Sequence, residues 1–276
     1  MSIPDFSQFP FNLLAGFTLG AVIGLFSLRT GSLSRSGAAA ATLTGGLIFG
    51  LGGLPWAVLL LLFFISSSGL SHAFKRRKLQ LSEKFAKGST RDWGQVLANG
   101  GLGAMLAVVH AIFPDEGVLW AAFGGAMAAV NADTWATELG VLSSQPPRLV
   151  TTGVVVERGS SGGITRMGNY AALGGAALIA LVGGSFLPDA GQFIRYFIFV
   201  SFAGTAGSIF DSFLGATVQA IYTCPACSKE TERHPRHICG TETVHKRGWR
   251  WLNNDLVNFA CSLVGAVIAA GLWLLF

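Results

Sequence analysis

Three short polar motifs interrupt an otherwise apolar chain. The first is Asn131-Ala-Asp133-Thr134-Trp135-Ala-Thr137-Glu138-Leu-Gly140. Its spacing puts Asn131, Thr134 and Glu138 on one helix face, with Asp133 and Thr137 on the adjacent stripe. The second runs from Gly204 to Gln219 and lines up Gly204, Gly207, Asp211 and Gly215 on one face, with Ser212 following the acid. Such a face places a carboxylate where another backbone, or a ligand, can come close. The third, Asn253-Asn254-Asp255-Leu-Val-Asn258, sets Asn254 and Asn258 one turn apart, although Asn253, Asn254 and Asp255 are also helix-capping residues. Carboxylates mixed with Asn and Thr form an oxygen-rich set, which suits Mg²⁺ better than a soft metal. A weak repeat is also visible, since Asp133-Thr-Trp and Asp211-Ser-Phe both read acid, hydroxyl, aromatic.

Two further segments carry chemistry. Arg158-Gly159-Ser160-Ser161-Gly162-Gly163-Ile-Thr165-Arg166 is a Gly/Ser loop opening a helix, and it offers backbone N–H groups to an anion between two arginines. It is not a nucleotide-binding P-loop, because no Gly-Lys-Ser/Thr follows. Residues 223–246 contain Cys224-Pro-Ala-Cys227 and Cys239 among several histidines, the spacing of a small zinc knuckle. The fourth ligand is open between His237, His234 and His245. A redox pair, or thiols in an ordinary loop, are the alternatives. Cys261 reads as an inert core residue.

The elements that must position these groups are membrane helices. Of the 276 residues, 51% are hydrophobic and 12% charged, and the mean hydropathy is +0.54. This composition excludes a soluble enzyme, a DNA-binding protein and a disordered chain. Eight segments approach the length of a span: Phe11–Leu28, Ser36–Leu51, Leu54–Leu70, Trp93–Phe113, Val118–Leu139, Asn169–Leu187, Phe193–Tyr222 and Leu252–Phe276. The second is short and Gly/Ala-rich, so it reads as tilted, partial or re-entrant, and the seventh is long enough to project from the bilayer. The expectation is an all-α polytopic membrane bundle of about eight spans (seven to nine), a single integral domain over residues 1–276 with a small Cys/His loop. With eight spans, every Lys and Arg except Arg195 falls on one side. The positive-inside rule makes that side cytoplasmic, with both termini outside. The net charge of +5 therefore reports orientation and calls for no nucleic-acid partner. The basic stretch His72–Asp92 reads as lying on anionic lipid.

Taken together and in this order, the three polar motifs, the Gly/Ser loop and the Cys-x-x-Cys segment resemble the DUF92 family of multi-pass membrane proteins. That family includes the transmembrane protein 19 group and phytyl-phosphate kinases. The resemblance implies phosphoryl transfer from CTP or ATP to an isoprenyl monophosphate such as phytyl phosphate, giving the diphosphate used in tocopherol synthesis. The setting would be a plasma or thylakoid-type membrane. The residues fit that chemistry, which needs mainly positioning and charge neutralisation. Asp133, Asp211 and Asp255 are the expected Mg²⁺ ligands, with Glu138 a fourth ligand or general base. Asn131, Thr134, Ser212, Asn254 and Asn258, with the loop from Gly159 to Gly163, would contact substrate. Arg158 and Arg166, or Lys246 and Arg247, would neutralise phosphate. Cys224, Cys227, Cys239 and His237 would hold a structural Zn²⁺. Two rivals share these residues: a transporter of a lipid or anion using the same buried acids, and a non-catalytic lipid-binding scaffold whose Cys/His loop docks a partner.

Overall fold

The computed structural model describes residues 9–74, 90–114 and 117–276. It has seven helices among the described residues: α1 (Phe9–Arg29), α2 (Arg35–Ala73), α3 (Trp93–Ile112), α4 (Val118–Gly140), α5 (Arg166–Gly184), α6 (Ala190–Thr217) and α7 (Asn254–Leu275). Six of them, all but α4, are long and apolar enough to cross a membrane. The polytopic helical expectation therefore holds. The exceptions to the all-α reading are five short strands: β1 (Arg148–Leu149) pairs with β2 (Gly163–Ile164), while β3 (Ile221–Cys224) lies between β4 (Lys229–Thr231) and β5 (Val244–Arg247) in an antiparallel sheet. The expected seventh span stops short at Thr217, and the chain turns into β3 rather than continuing as helix. Of the basic stretch read as lying on lipid, residues 75–89 fall outside the described residues.

The second and third expected spans are the two arms of α2. Its 39 residues would run about 58 Å if straight. Gly53 breaks it, with a φ of 76° that only glycine adopts freely, and Pro55 sits in the first turn of the second arm, where its missing N–H costs little. Contacts at the far ends show that the arms fold back on each other. The Arg91 backbone bonds Ser32 and Ser34 at the start of the first arm, while its guanidinium reaches Ser67 and Ser68 near the end of the second. Helix α1 runs antiparallel to the first arm, Gly16 lying against Gly46 and Gly50, and Gly24 against Ala38.

Helix α4 is the centre of the bundle. It packs against α5, α6 and α7, and also against α2 and α3. Its residues from Trp120 to Ala132 are all buried. Such enclosure needs small side chains all round, because lipid supplies no hydrophobic drive between helices and close backbone approach must supply the packing. Ala and Gly provide it. A Cβ on Gly125 would come within 2.3 Å of the Gly265 carbonyl oxygen, and one on Gly204 within 2.6 Å of the Ala128 methyl. One end of the bundle is filled by stacked aromatics, Trp56 on Phe123 at 4.3 Å and Trp120 beside Tyr196. Arg195 lies at that end, donating to the Trp273 carbonyl and covering its ring. The polar motifs gather at the other end.

This packing makes a test. Gly265→Val should destabilise the detergent-solubilised protein by about 1–3 kcal/mol, the usual cost of overpacking. Gly271→Val, where an added Cβ meets nothing within 4 Å, should change thermal unfolding by less than about 0.5 kcal/mol. Equal shifts in the two variants would contradict the close α4–α7 approach.

Candidate functional site

A polar cavity of about 310 Å³ opens at the motif end of the bundle, within the range of small-molecule sites. Helix α4 contributes Asp133, Thr134, Thr137 and Glu138, and α6 contributes Ser208, Asp211 and Ser212. The loop from Arg158 to Gly163 forms one wall, and Asn254 and Asn258 of α7 another. Ser71 of α2, Arg91 just before α3, and Gln95 and Asn99 of α3 also line it. Three of the four expected acids thus share one cavity. Asp255 does not line it; it sits half-buried in the first turn of α7, where a negative charge complements the helix dipole.

The third carboxylate beside Asp211 is instead Glu232, from the Cys/His segment. Asp133 and Glu232 both lie close enough to Asp211 to repel it electrostatically. The Oδ2 atom of Asp211 is buried and has no hydrogen-bond donor. A buried carboxylate oxygen among other carboxylates is costly unless a proton or a cation neutralises it. The donor set is all oxygen and fits a hard divalent ion such as Mg²⁺.

The cationic group opposite is Arg91. Its Nη2 donates to Ser67 Oγ at 3.0 Å, and its guanidinium lies over the Phe63 and Phe64 rings. Burial pulls it down to about 10, the Glu138 carboxylate opposing that shift, so it stays charged at neutral pH. Glu138 is buried and accepts from the Ser71 hydroxyl at 2.5 Å. Neither Arg91 nor Glu232 stood out in the sequence, because one lies in a run of basic residues and the other in an ordinary charged loop.

Several candidate residues serve elsewhere. Asn131 does not line the cavity: its Nδ2 donates to the Gly175 carbonyl at 2.8 Å and its Oδ1 accepts from Ser66, which ties α2, α4 and α5 together. Arg158 reaches the cavity wall, but its guanidinium donates to the Val141 and Ser144 carbonyls and so anchors the loop. Arg166 is exposed at the start of α5, outside the cavity. Lys246 pairs with Glu230 on the surface. Arg247 donates to the Gly215 and Ala216 carbonyls at the C-terminal end of α6. The Gly/Ser loop owes its course to Gly162, whose φ of 79° and contact with Ala216 leave no room for a side chain. At the helix opening, Thr165 already accepts from the Gly168 N–H, so that donor is committed.

The Cys/His segment is folded onto this site. Ser161 Oγ donates to Gln219 Oε1 at 2.8 Å, and Gln219 Nε2 donates to Glu232 at 3.0 Å. Loop, α6 terminus and small sheet are thereby linked. Cys224, Cys227, His237 and Cys239 bring four ligand atoms within 4.8 Å of one another, a group that could hold a metal ion such as zinc. Individual separations are 3.5 Å for Cys224–Cys239, 3.6 Å for Cys227–His237 and 3.2 Å for His237–Cys239. A tetrahedral zinc centre with bonds of ~2.0–2.3 Å spaces its ligands by roughly 3.3–3.8 Å. Hydrogen bonds from Thr241 and His237 bring the Cys239 thiol down to about 5, favouring the thiolate that binds metal, whereas those with Cys239 and Cys224 raise Cys227 to about 11. Of the three histidine candidates only His237 points at the thiols; His234 stacks on Tyr222, and His245 contacts the Gly248 carbonyl.

The purified protein should carry about one zinc per chain by mass spectrometry of the metal, as a closed four-ligand site implies. Cys224→Ser and His237→Ala should lose it, and His234→Ala should keep it. Equal loss in the two histidine variants would reject this ligand set.

The family model described as "Integral membrane protein DUF92" matches residues 18–266. Protein PGR of Arabidopsis thaliana is 29% identical, over 94% of this chain and 98% of its own. An uncharacterized membrane protein of Methanocaldococcus jannaschii is 30% identical, over 93% and 92% of the two chains. Protein VTE6, chloroplastic, of Arabidopsis thaliana is 25% identical, over 94% of this chain and 69% of its own. No solved structure matches. This chain is thus a multi-pass integral membrane protein and belongs to the DUF92 family.

Proposed function

We propose that the protein transfers the terminal phosphoryl group of CTP or ATP to an isoprenyl monophosphate such as phytyl phosphate, giving the diphosphate and a nucleoside diphosphate. The observation that carries this reading is the meeting of Asp133, Asp211 and Glu232 in one cavity, with a buried Asp211 oxygen that lacks a donor and Arg91 in the opposite wall. The resemblance of the motifs to phytyl-phosphate kinases supplies the substrate class.

In this reaction an oxygen of the acceptor phosphate attacks the terminal phosphorus, and the bond to the bridging oxygen of the leaving diphosphate breaks. A phosphate monoester has a second pKa of about 6 and is largely a dianion at neutral pH, so no base has to deprotonate it. Glu138 is then better used as a positioning group, buried beside Arg91 and held by Ser71. Arg91 draws the acceptor phosphate into the cavity, and Asn254 and Asn258 orient ligand oxygens. Arg158 keeps the Gly/Ser wall in place through its carbonyl bonds. Asp133, Asp211 and Glu232 would hold Mg²⁺, which when bound neutralises phosphate charge.

The cavity end carries Arg29, Arg35, Arg91 and the basic residues of the Cys/His segment, while Arg195 lies at the other end. By the positive-inside rule the cavity faces the cytoplasm, with both termini outside and the arms of α2 counted as two of eight spans. An isoprenyl phosphate presents its head at this depth. The aromatic packing of Trp56, Trp120, Phe123 and Tyr196 closes the opposite end, which favours the enzyme over the transporter.

The assay is purified protein in lipid nanodiscs with Mg²⁺, CTP or ATP, and phytyl or farnesyl monophosphate, followed for diphosphate. Asp133→Asn and Asp211→Asn should each lower turnover by about 100-fold or more, and Glu232→Gln by at least about tenfold, in line with the loss of electrostatic stabilisation at a transferring phosphoryl group. Asp255→Asn should cost less than about threefold, as expected for a residue that is not aimed at the reacting charge. Undiminished turnover in both aspartate variants would sink the proposal, and diphosphate formation by none of the nucleotide pairs would return weight to a transporter, measured as vesicle flux.

A further inference from the structure

A second cavity, about 80 Å³ and almost wholly apolar, lies between α1, the two arms of α2 and the start of α3. Leu19 and Ile23 of α1 and Leu60, Leu61 and Phe64 of the second α2 arm supply its walls. Its polar lining is confined to Thr44, whose hydroxyl is spent on the Ala40 carbonyl, and to Arg91, Gln95 and Asn99. These last three residues also line the polar cavity. The two spaces therefore share a wall at Arg91, one side acidic and oxygen-rich, the other apolar.

That junction has the polarity of an amphiphile with an anionic head. An apolar cavity holds hydrocarbon better than water. Arg91 is suited to the boundary because its guanidinium lies against the Phe63 and Phe64 rings while remaining charged. From Gly16 to Ile23 the apolar space follows eight residues of α1, about 10 Å along the helix axis. Leu19 lines it and is nevertheless 40% exposed on the outer surface of the bundle. A chain longer than the cavity can thus continue sideways into the bilayer.

We propose that this cavity binds the first part of the isoprenyl chain of the phosphorylated lipid, with the phosphate at Arg91 and the remainder of the chain in the membrane. The assignment rests on the kinase reading for its substrate class and adds the place where the chain lies and the elements that select it. Two glycines make the space. A Cβ on Gly45 would come no closer than 3.9 Å to Leu60, and one on Gly100 no closer than 3.9 Å to Thr44. Both glycines line the cavity, so a larger side chain at either position starts from an uncrowded Cβ in its wall.

The probe is a farnesyl monophosphate analogue with a photoreactive diazirine on its chain, added to the full-length protein in nanodiscs and mapped by peptide mass spectrometry. Labelling should fall on α1 and the two arms of α2, and unlabelled phytyl phosphate should compete for it. Gly45→Leu and Gly100→Leu should each reduce labelling by about tenfold, the scale on which a hydrophobic pocket discriminates bulk. Both variants are checked by zinc content and thermal unfolding, and the map on the unaltered protein decides the matter if neither folds. Labels confined to the outer faces of α5 and α6, or displaced by phosphatidic acid and not by phytyl phosphate, would overturn the proposal. Correct labelling without diphosphate formation would keep the chain site and dismiss the kinase, whereas diphosphate formation with labels elsewhere would do the reverse.

Discussion

Close backbone approach around α4 is the constraint from which the other features follow. In lipid no hydrophobic effect pulls helices together, so association relies on dispersion contacts and on hydrogen bonds between helices. The Ala and Gly surface of α4 lets α5, α6 and α7 come near enough for both. Gly125 meets the Gly265 carbonyl, Gly204 meets Ala128, and Gly175 lies against Asn131. Asn131 then adds hydrogen bonds to Gly175 and Ser66 where no water competes. Because α4 and α6 are held this closely, Asp133 and Asp211 can occupy the same cavity.

Bringing acids together in an apolar bundle carries an electrostatic cost, and the surroundings show how it is offset. Arg91 stands near Glu138, and the serines at the end of α2 accept its N–H groups. Arg247 answers the carbonyls at the C-terminal end of α6, just past Asp211. The small sheet around the Cys/His cluster does more than cover the end of the bundle. Through Gln219 it fixes Glu232 beside the α6 acid, so the folding of the Cys/His element and the composition of the polar site at the end of the bundle are joined by one amide side chain.

The legible part of the site was the part written in consecutive residues. The Asp133–Glu138 and Asp211–Ser212 motifs, the Gly/Ser loop and the asparagines of α7 all enter one cavity, because each is a local run on a helix or at its mouth. Asp255 looked equivalent to the other acids and lies outside, since one residue of helical rotation turns it from Asn254. Asn131 shared a face with Glu138 yet faces Ser66 and Gly175, a choice made by which neighbours came near. The bend in α2 was half visible: hydropathy separated two apolar segments, but only Gly53 and the contacts of Arg91 show that they fold back on each other.

Hydropathy and cysteine spacing are properties of the chain itself, and they determined a polytopic membrane protein and a Cys/His element with metal-binding spacing. Tertiary structure alone decided that His237 rather than His234 or His245 faces the thiols, that Glu232 replaces Asp255 beside Asp211, and that Arg91 stands between a polar and an apolar cavity. The reason is physical. Local pattern says which residues must leave water or avoid lipid, but partnership among buried polar groups depends on the separation of backbones distant in sequence. Here that separation is set by glycine and alanine contacts that no single segment contains.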